Sequence, residues 1–74
     1  PALYVLLNIA KSDLQAGDLI IFSNTYKAGP SHAGIYIGEG QFIHASSVGS
    51  GGVIISDINS NYYLNHFSYG RRVL

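Results

Sequence analysis

The chain has 74 residues, four basic and four acidic, for a formal net charge of zero, and it contains no cysteine. So short a chain holds one domain at most and buries only about 60% of the surface it exposes when unfolded, which leaves its core marginal. Sparse, balanced charge excludes the basic footprint of a nucleic-acid binder. The missing thiols exclude disulfides, thiolate metal sites and an internal cysteine nucleophile. No run approaches the roughly 18 apolar residues of a membrane-spanning helix.

Residues 1–10 (PALYVLLNIA) are a short apolar run that reads as strand or helix, because periodicity does not arbitrate over so few positions. The run lacks a basic lead and a cleavage pattern, so it is not read as a signal peptide. It is expected to pack against something, material outside this sequence included. Residues 11–18 (KSDLQAGD) predict a single helical turn, capped by Ser12 or Asp13 and ended by Gly17. Asp18 is expected to accept hydrogen bonds from nearby backbone amides. Residues 19–22 (LIIF), bounded by turn formers, predict a buried central strand. Residues 23–30 then form a loop, and Gly29-Pro30 delivers the chain to Ser31 and His32 at the rim of a sheet.

Residues 31–45 (SHAGIYIGEGQFIHA) predict a β-hairpin carrying two of the three histidines. A two-residue loop at Glu39-Gly40 would set Gly38 against Gln41 and Ile35 against His44, mixing polar and apolar residues on both faces. A type I turn closed by a left-handed Gly40 shifts the pairing by one. Ile37 then faces Gln41, Ile35 faces Ile43 and Ala33 faces Ala45, which gathers one apolar face. The opposite face collects His32, Gly34, Tyr36, Phe42 and His44. A slip of one residue exchanges the faces, so the apolar pattern selects the bulged register. His32 and His44 become diagonal neighbours, roughly 7–8 Å apart at the backbone, with side-chain-free Gly34 between them. Such a pair suits a base and the residue that orients it. Two half-buried histidines bonded to backbone would show the same spacing, and both readings stand at this level.

Residues 46–52 (SSVGSGG) read as a turn and residues 53–55 (VII) as a further strand. Asp57 to Asn61 offer caps for one or two helical turns over residues 62–67. His66 is left outside the site as a surface or cap residue, and residues 69–74 predict a last strand. The three histidines lack metal-ligand spacing, and neither a metal nor a cofactor is expected.

The strings GDLIIF (17–22), SHAGIYIGEGQFIHAS (31–46), GVIIS (52–56) and YGRRV (69–73) resemble, in order, the NlpC/p60 cell-wall peptidases. The resemblance spans residues 11–74 and is unclear over 1–10. It implies an α+β, papain-like fold, of which this chain supplies mainly the antiparallel sheet. It also implies a cysteine peptidase that cuts the γ-D-glutamyl–diamino acid bond of peptidoglycan stem peptides at the bacterial cell wall. On the motif match, His32 falls on the general base and His44 on the third catalytic position, and Ser31 and Tyr36 within the same motif are the expected substrate contacts. The family's nucleophilic cysteine stands upstream at a helix start, and this sequence has no counterpart. The chain is therefore expected to be the C-terminal part of such a domain, inactive alone, completed by the missing N-terminal half or self-associated through an exposed sheet face. Ser46 or Ser47 as substitute nucleophile lacks a helix N-terminus. A noncatalytic module binding the same peptides is the alternative, and a papain-like acyltransferase or thioesterase a third reading.

Overall fold

The alternation that organises the sequence closes into a single antiparallel sheet. A computed structural model describes residues 6–46 and 52–73. Its strands are β1 (Leu6–Ile9), β2 (Leu19–Ser23), β3 (Pro30–Gly38), β4 (Gln41–Ser46), β5 (Gly52–Asp57) and β6 (Phe67–Val73), in the order β1-β6-β2-β3-β4-β5. All neighbouring pairs are antiparallel. The predicted turn is present but earlier: a 3-10 turn at Lys11–Asp13 is N-capped by Ala10 without a side-chain bond, so Ser12 and Asp13 lie inside it, and it ends at Leu14, ahead of Gly17 with its left-handed φ of 99°. One short helix, α1 (Asn61–His66), precedes β6. Its N-cap Ser60 makes no side-chain cap bond; the hydroxyl donates to the Asp57 carbonyl instead.

The first strand resolves the ambiguity of the N-terminal run. Leu6–Ile9 pairs with β6 from Leu6↔Val73 to Ile9↔Gly70, so the segment finds its partner at the other end of the same chain. Gly70 permits this closeness, since a Cβ there would lie 2.7 Å from Leu14 Cδ2 and 3.1 Å from Ile9 Cβ. Residues 1–5 of the run, and the turn over 47–51 with Ser47, lie outside the described residues.

Sequence reasoning and structure part company at the hairpin tip. Ile35 faces Ile43 and Tyr36 faces Phe42 as the bulged register requires, but Gly38, not Ile37, faces Gln41. Glu39 and Gly40 both take positive φ, 56° and 74°, the pattern of a type I′ two-residue turn, whose twist matches that of the flanking strands. The extra residue sits one step earlier, between Tyr36 and Gly38, where Gly38 at φ 95° accommodates it. Tyr36 stabilises the tip by accepting the Gly40 N–H at its hydroxyl, 2.9 Å away.

The two faces of the sheet differ in cover. The core consists of Ile20, Phe22, Phe42 and Ile58, with Leu14, Tyr36, Tyr63 and Phe67 packed around it. It lies on the face that carries the histidines. The segment after β5, together with α1, covers that face with aromatic bulk: Phe22, Phe42 and Tyr63 meet with ring centroids 4.9–5.1 Å apart. The aliphatic face stays open, with Leu19 45%, Val53 67% and Ile55 56% exposed. The LIIF strand is central but buried on one side only, through Ile20 and Phe22.

Candidate active site

Continuing the Ile35↔Ile43 register by one residue sets Gly34 opposite His44. A Cβ at Gly34 would fall 2.7 Å from Phe42 Cδ2, so glycine is what allows the Phe42 ring to lie across the strand pair. Phe42 in turn stacks against the His44 imidazole, centroids 4.6 Å apart, and Tyr63 meets that ring edge-on at 5.3 Å. With this aromatic wall around it His44 is only 5% exposed, yet its polar atoms are satisfied. Its Nδ1 lies 2.8 Å from His32 Nε2, and its Nε2 lies 2.8 Å from Ser56 Oγ. The two imidazoles stand nearly perpendicular at 87°. The diagonal placement thus becomes a direct hydrogen bond across Gly34.

Burial, and then the nearby His32 charge, push the His44 pKa below the ordinary histidine value. His44 is therefore neutral near pH 7 and carries a single ring proton. His32 is half-buried and packs on Phe22 at 6.1 Å. Among the described residues its Nδ1 has no hydrogen-bond partner. Beside it lies a depression of about 270 Å³ lined by Ile21, Tyr26, Lys27, Pro30, Ser31, His32 and Ala33. A second, apolar hollow of about 370 Å³ runs over the aliphatic face between Leu19, Ala33, Ile35, Ile43, Ala45 and Val53. Ala33 lines both.

The other singled-out residues fall elsewhere. The Ser31 hydroxyl borders the depression beside His32, accepts the Thr25 N–H at 3.0 Å and bonds the Thr25 hydroxyl. Tyr36 shares the face of His32 but stands four residues along β3, roughly 13 Å away at strand rise, with its hydroxyl on Gly40. His66 Nδ1 is 2.9 Å from the Ser23 carbonyl, where it ties α1 to the end of β2. Asp18 accepts the Gln15 N–H at 2.8 Å, and also takes Arg72 in a two-pronged pair at 2.7 and 2.8 Å. The Arg72 hydrogen bonds hold its carboxyl below the usual carboxylate range against the opposing effect of burial. Sequence proximity identifies the first partner; the second is 54 residues away. Ser56 was missed altogether. The available signal is β5 alternation, which puts Ser56 opposite Phe42 and on the His44 face. Among the described residues no three His, Asp or Glu side chains gather as a metal site, and no helix is long and apolar enough to cross a membrane.

A family model described as the NlpC/P60 family matches residues 4–72. Murein DD-endopeptidase MepS/Murein LD-carboxypeptidase of Escherichia coli K12 is 45% identical over 69 residues, covering 90% of this chain and 34% of that protein. The probable peptidoglycan endopeptidase LytE of Bacillus subtilis is 50% identical over 56 residues, 76% of this chain and 16% of that protein. A solved NlpC/P60 family protein from Bacillus cereus superposes with a TM-score of 0.76 at 33% identity, over 89% of this chain and 22% of that one. A similar-to-lipoprotein NLP/P60 protein from Staphylococcus aureus gives a TM-score of 0.78 at 32% identity, over 93% and 23%. The chain thus spans about a third or less of the length of these relatives.

Proposed function

The chain belongs to the NlpC/P60 family, and from that membership we propose that it is the histidine-bearing part of a cysteine endopeptidase that cuts the γ-D-glutamyl–diamino acid bond of peptidoglycan stem peptides, at the bacterial cell wall. The names of its relatives, a murein endopeptidase and a probable peptidoglycan endopeptidase, support the substrate class. The observation that carries the reading is the 2.8 Å hydrogen bond between His32 Nε2 and His44 Nδ1, with no hydrogen-bond partner among the described residues at the other His32 nitrogen and an open depression lined in part by His32.

In this reading a thiol from outside these residues, which contain no cysteine, gives its proton to His32 Nδ1. The thiolate attacks the scissile carbonyl carbon, the carbon–nitrogen bond breaks, and the His32 proton passes to the leaving amine. Water, deprotonated by His32, then attacks the thioester carbonyl, the carbon–sulfur bond breaks, and the His32 proton returns to the thiolate. Ser31, at the edge of the depression, is the nearer of the two proposed substrate contacts; Tyr36 is the farther, four residues along β3. The aliphatic hollow receives the segment that brings the thiol: Ala33 lines both that hollow and the depression beside His32, and the relatives are about three times as long as this chain or more. Without that segment the chain self-associates through the same face.

The test is release of soluble peptides from purified peptidoglycan by the 74 residues alone and by the same chain joined to a cysteine-bearing upstream segment of a relative. Release only by the joined protein supports the reading. Binding without release in both favours the noncatalytic module, and release by the 74 residues alone overturns the cysteine mechanism.

A further inference from the structure

Three polar side chains, each 12 residues after the last, stand on three successive strands: His32 on β3, His44 on β4 and Ser56 on β5. Both links between them are 2.8 Å. We infer that Ser56 is a positioning residue: by accepting a hydrogen bond from His44 Nε2–H, it fixes the tautomers of both histidines and leaves His32 Nδ1 as the atom able to take a proton.

Proton counting sets the two alternatives. A neutral imidazole has one N–H and one lone pair, so each ring in the row donates at one end and accepts at the other. If Ser56 accepts, the His44 proton is on Nε2, and His44 Nδ1 must accept from His32 Nε2–H. The His32 lone pair is then on Nδ1, pointing away from the row. If Ser56 instead donates to His44 Nε2, every bond reverses. His44 Nδ1–H then donates to His32 Nε2, and the His32 proton sits on Nδ1, where it blocks proton uptake. The sense of one hydroxyl therefore decides whether the outer nitrogen is a base. Phe42 and Tyr63 pack against the His44 ring, and among the described residues no polar group other than Ser56 contacts Nε2. When His32 takes a proton at Nδ1, its Nε2–H, the His44 Nε2–H and the Ser56 hydroxyl keep their places, so no second proton moves.

The 2.8 Å contacts fit either direction; the accepting sense is the one the proposed function requires, and the tautomer measurement tests it apart from activity. The experiment is nitrogen-15 NMR of histidine-labelled full chain at about pH 8, above the ordinary histidine range. Both His32 and His44 are expected to show a protonated Nε2 and an unprotonated Nδ1. In Ser56→Ala, His44 is expected to lose this single tautomer and His32 to follow, while Ser56→Thr, which keeps the hydroxyl, restores both. A wild-type His44 protonated on Nδ1, or unchanged tautomers in a folded Ser56→Ala variant, overturns the inference. In the thiol-completed protein, Ser56→Ala is expected to lower kcat about tenfold with KM unchanged, and Ser56→Thr to recover it. Equal kcat in wild type and Ser56→Ala would remove the positioning role. Expected tautomers in a completed wild type that releases nothing from peptidoglycan would uphold the assignment and reject the proposed function.

Discussion

Gly34→Ala tests how the site is held. The added methyl would lie 2.7 Å from Phe42 Cδ2, 3.3 Å from Cε2 and 3.1 Å from the Ile43 carbonyl. Phe42 has no room to yield: it is fully buried and wedged between Phe22, Tyr63 and His44. Overpacking of this kind costs about 1–3 kcal/mol. Against it, alanine removes about 0.4–1 kcal/mol of unfolded-state freedom, since Gly34 is not among the positive-φ positions. The larger effect wins, leaving a net loss of about 1–2 kcal/mol, or roughly 5–15 °C in Tm for a domain of this size. Thermal unfolding followed by circular dichroism reads this directly. Adding Phe42→Leu should make the pair more stable than the two single losses predict, because the shortened side chain makes room for the methyl. An unchanged or raised Tm in Gly34→Ala, or strictly additive losses, would refute the reasoning.

Three further outcomes are expected. His44 has a folded-state pKa below its unfolded value of about 6.5, so the unfolded chain binds that proton more readily and stability falls as pH drops below about 6.5; urea titrations at stepped pH should show the fall, and His44→Gln should flatten it. Asp18 is likewise depressed by Arg72, so its contribution is present above its unfolded pKa of about 3.9 and is lost as pH falls below that; Arg72→Met should lower stability at neutral pH and shrink the acid-side loss. The aliphatic face should drive concentration-dependent association of the isolated chain in sedimentation velocity, and Val53→Lys with Ile55→Lys, both at exposed positions, should return it to monomer.

What was legible in the sequence follows the range of the interactions involved. Strand and helix positions came from alternation and turn formers, and the Ile35↔Ile43 register followed from keeping like residues on like faces. The hairpin tip did not, because a type I′ turn preceded by a bulge at Ile37 and a longer turn at Gly40 both place His32 and His44 on one face. Alternation separates an aliphatic from a histidine-bearing face but does not say which is covered; Ile58, Tyr63 and Phe67, arriving from later in the chain, bury the histidine face. Arg72 on Asp18 and Ser56 on His44 depend on strand order, β6 beside β2 and β5 beside β4, which no local pattern encodes.

The central claim, that His32 serves as base to a thiol supplied from outside these residues, is tested most directly by the pH dependence of alkylation of that cysteine in the joined protein. A free cysteine titrates at about 8.5, and one paired with histidine falls to about 3.5–7.5. The account predicts a midpoint in the lower range for wild type and a return towards about 8.5 in His32→Ala. The same midpoint in both proteins would contradict it.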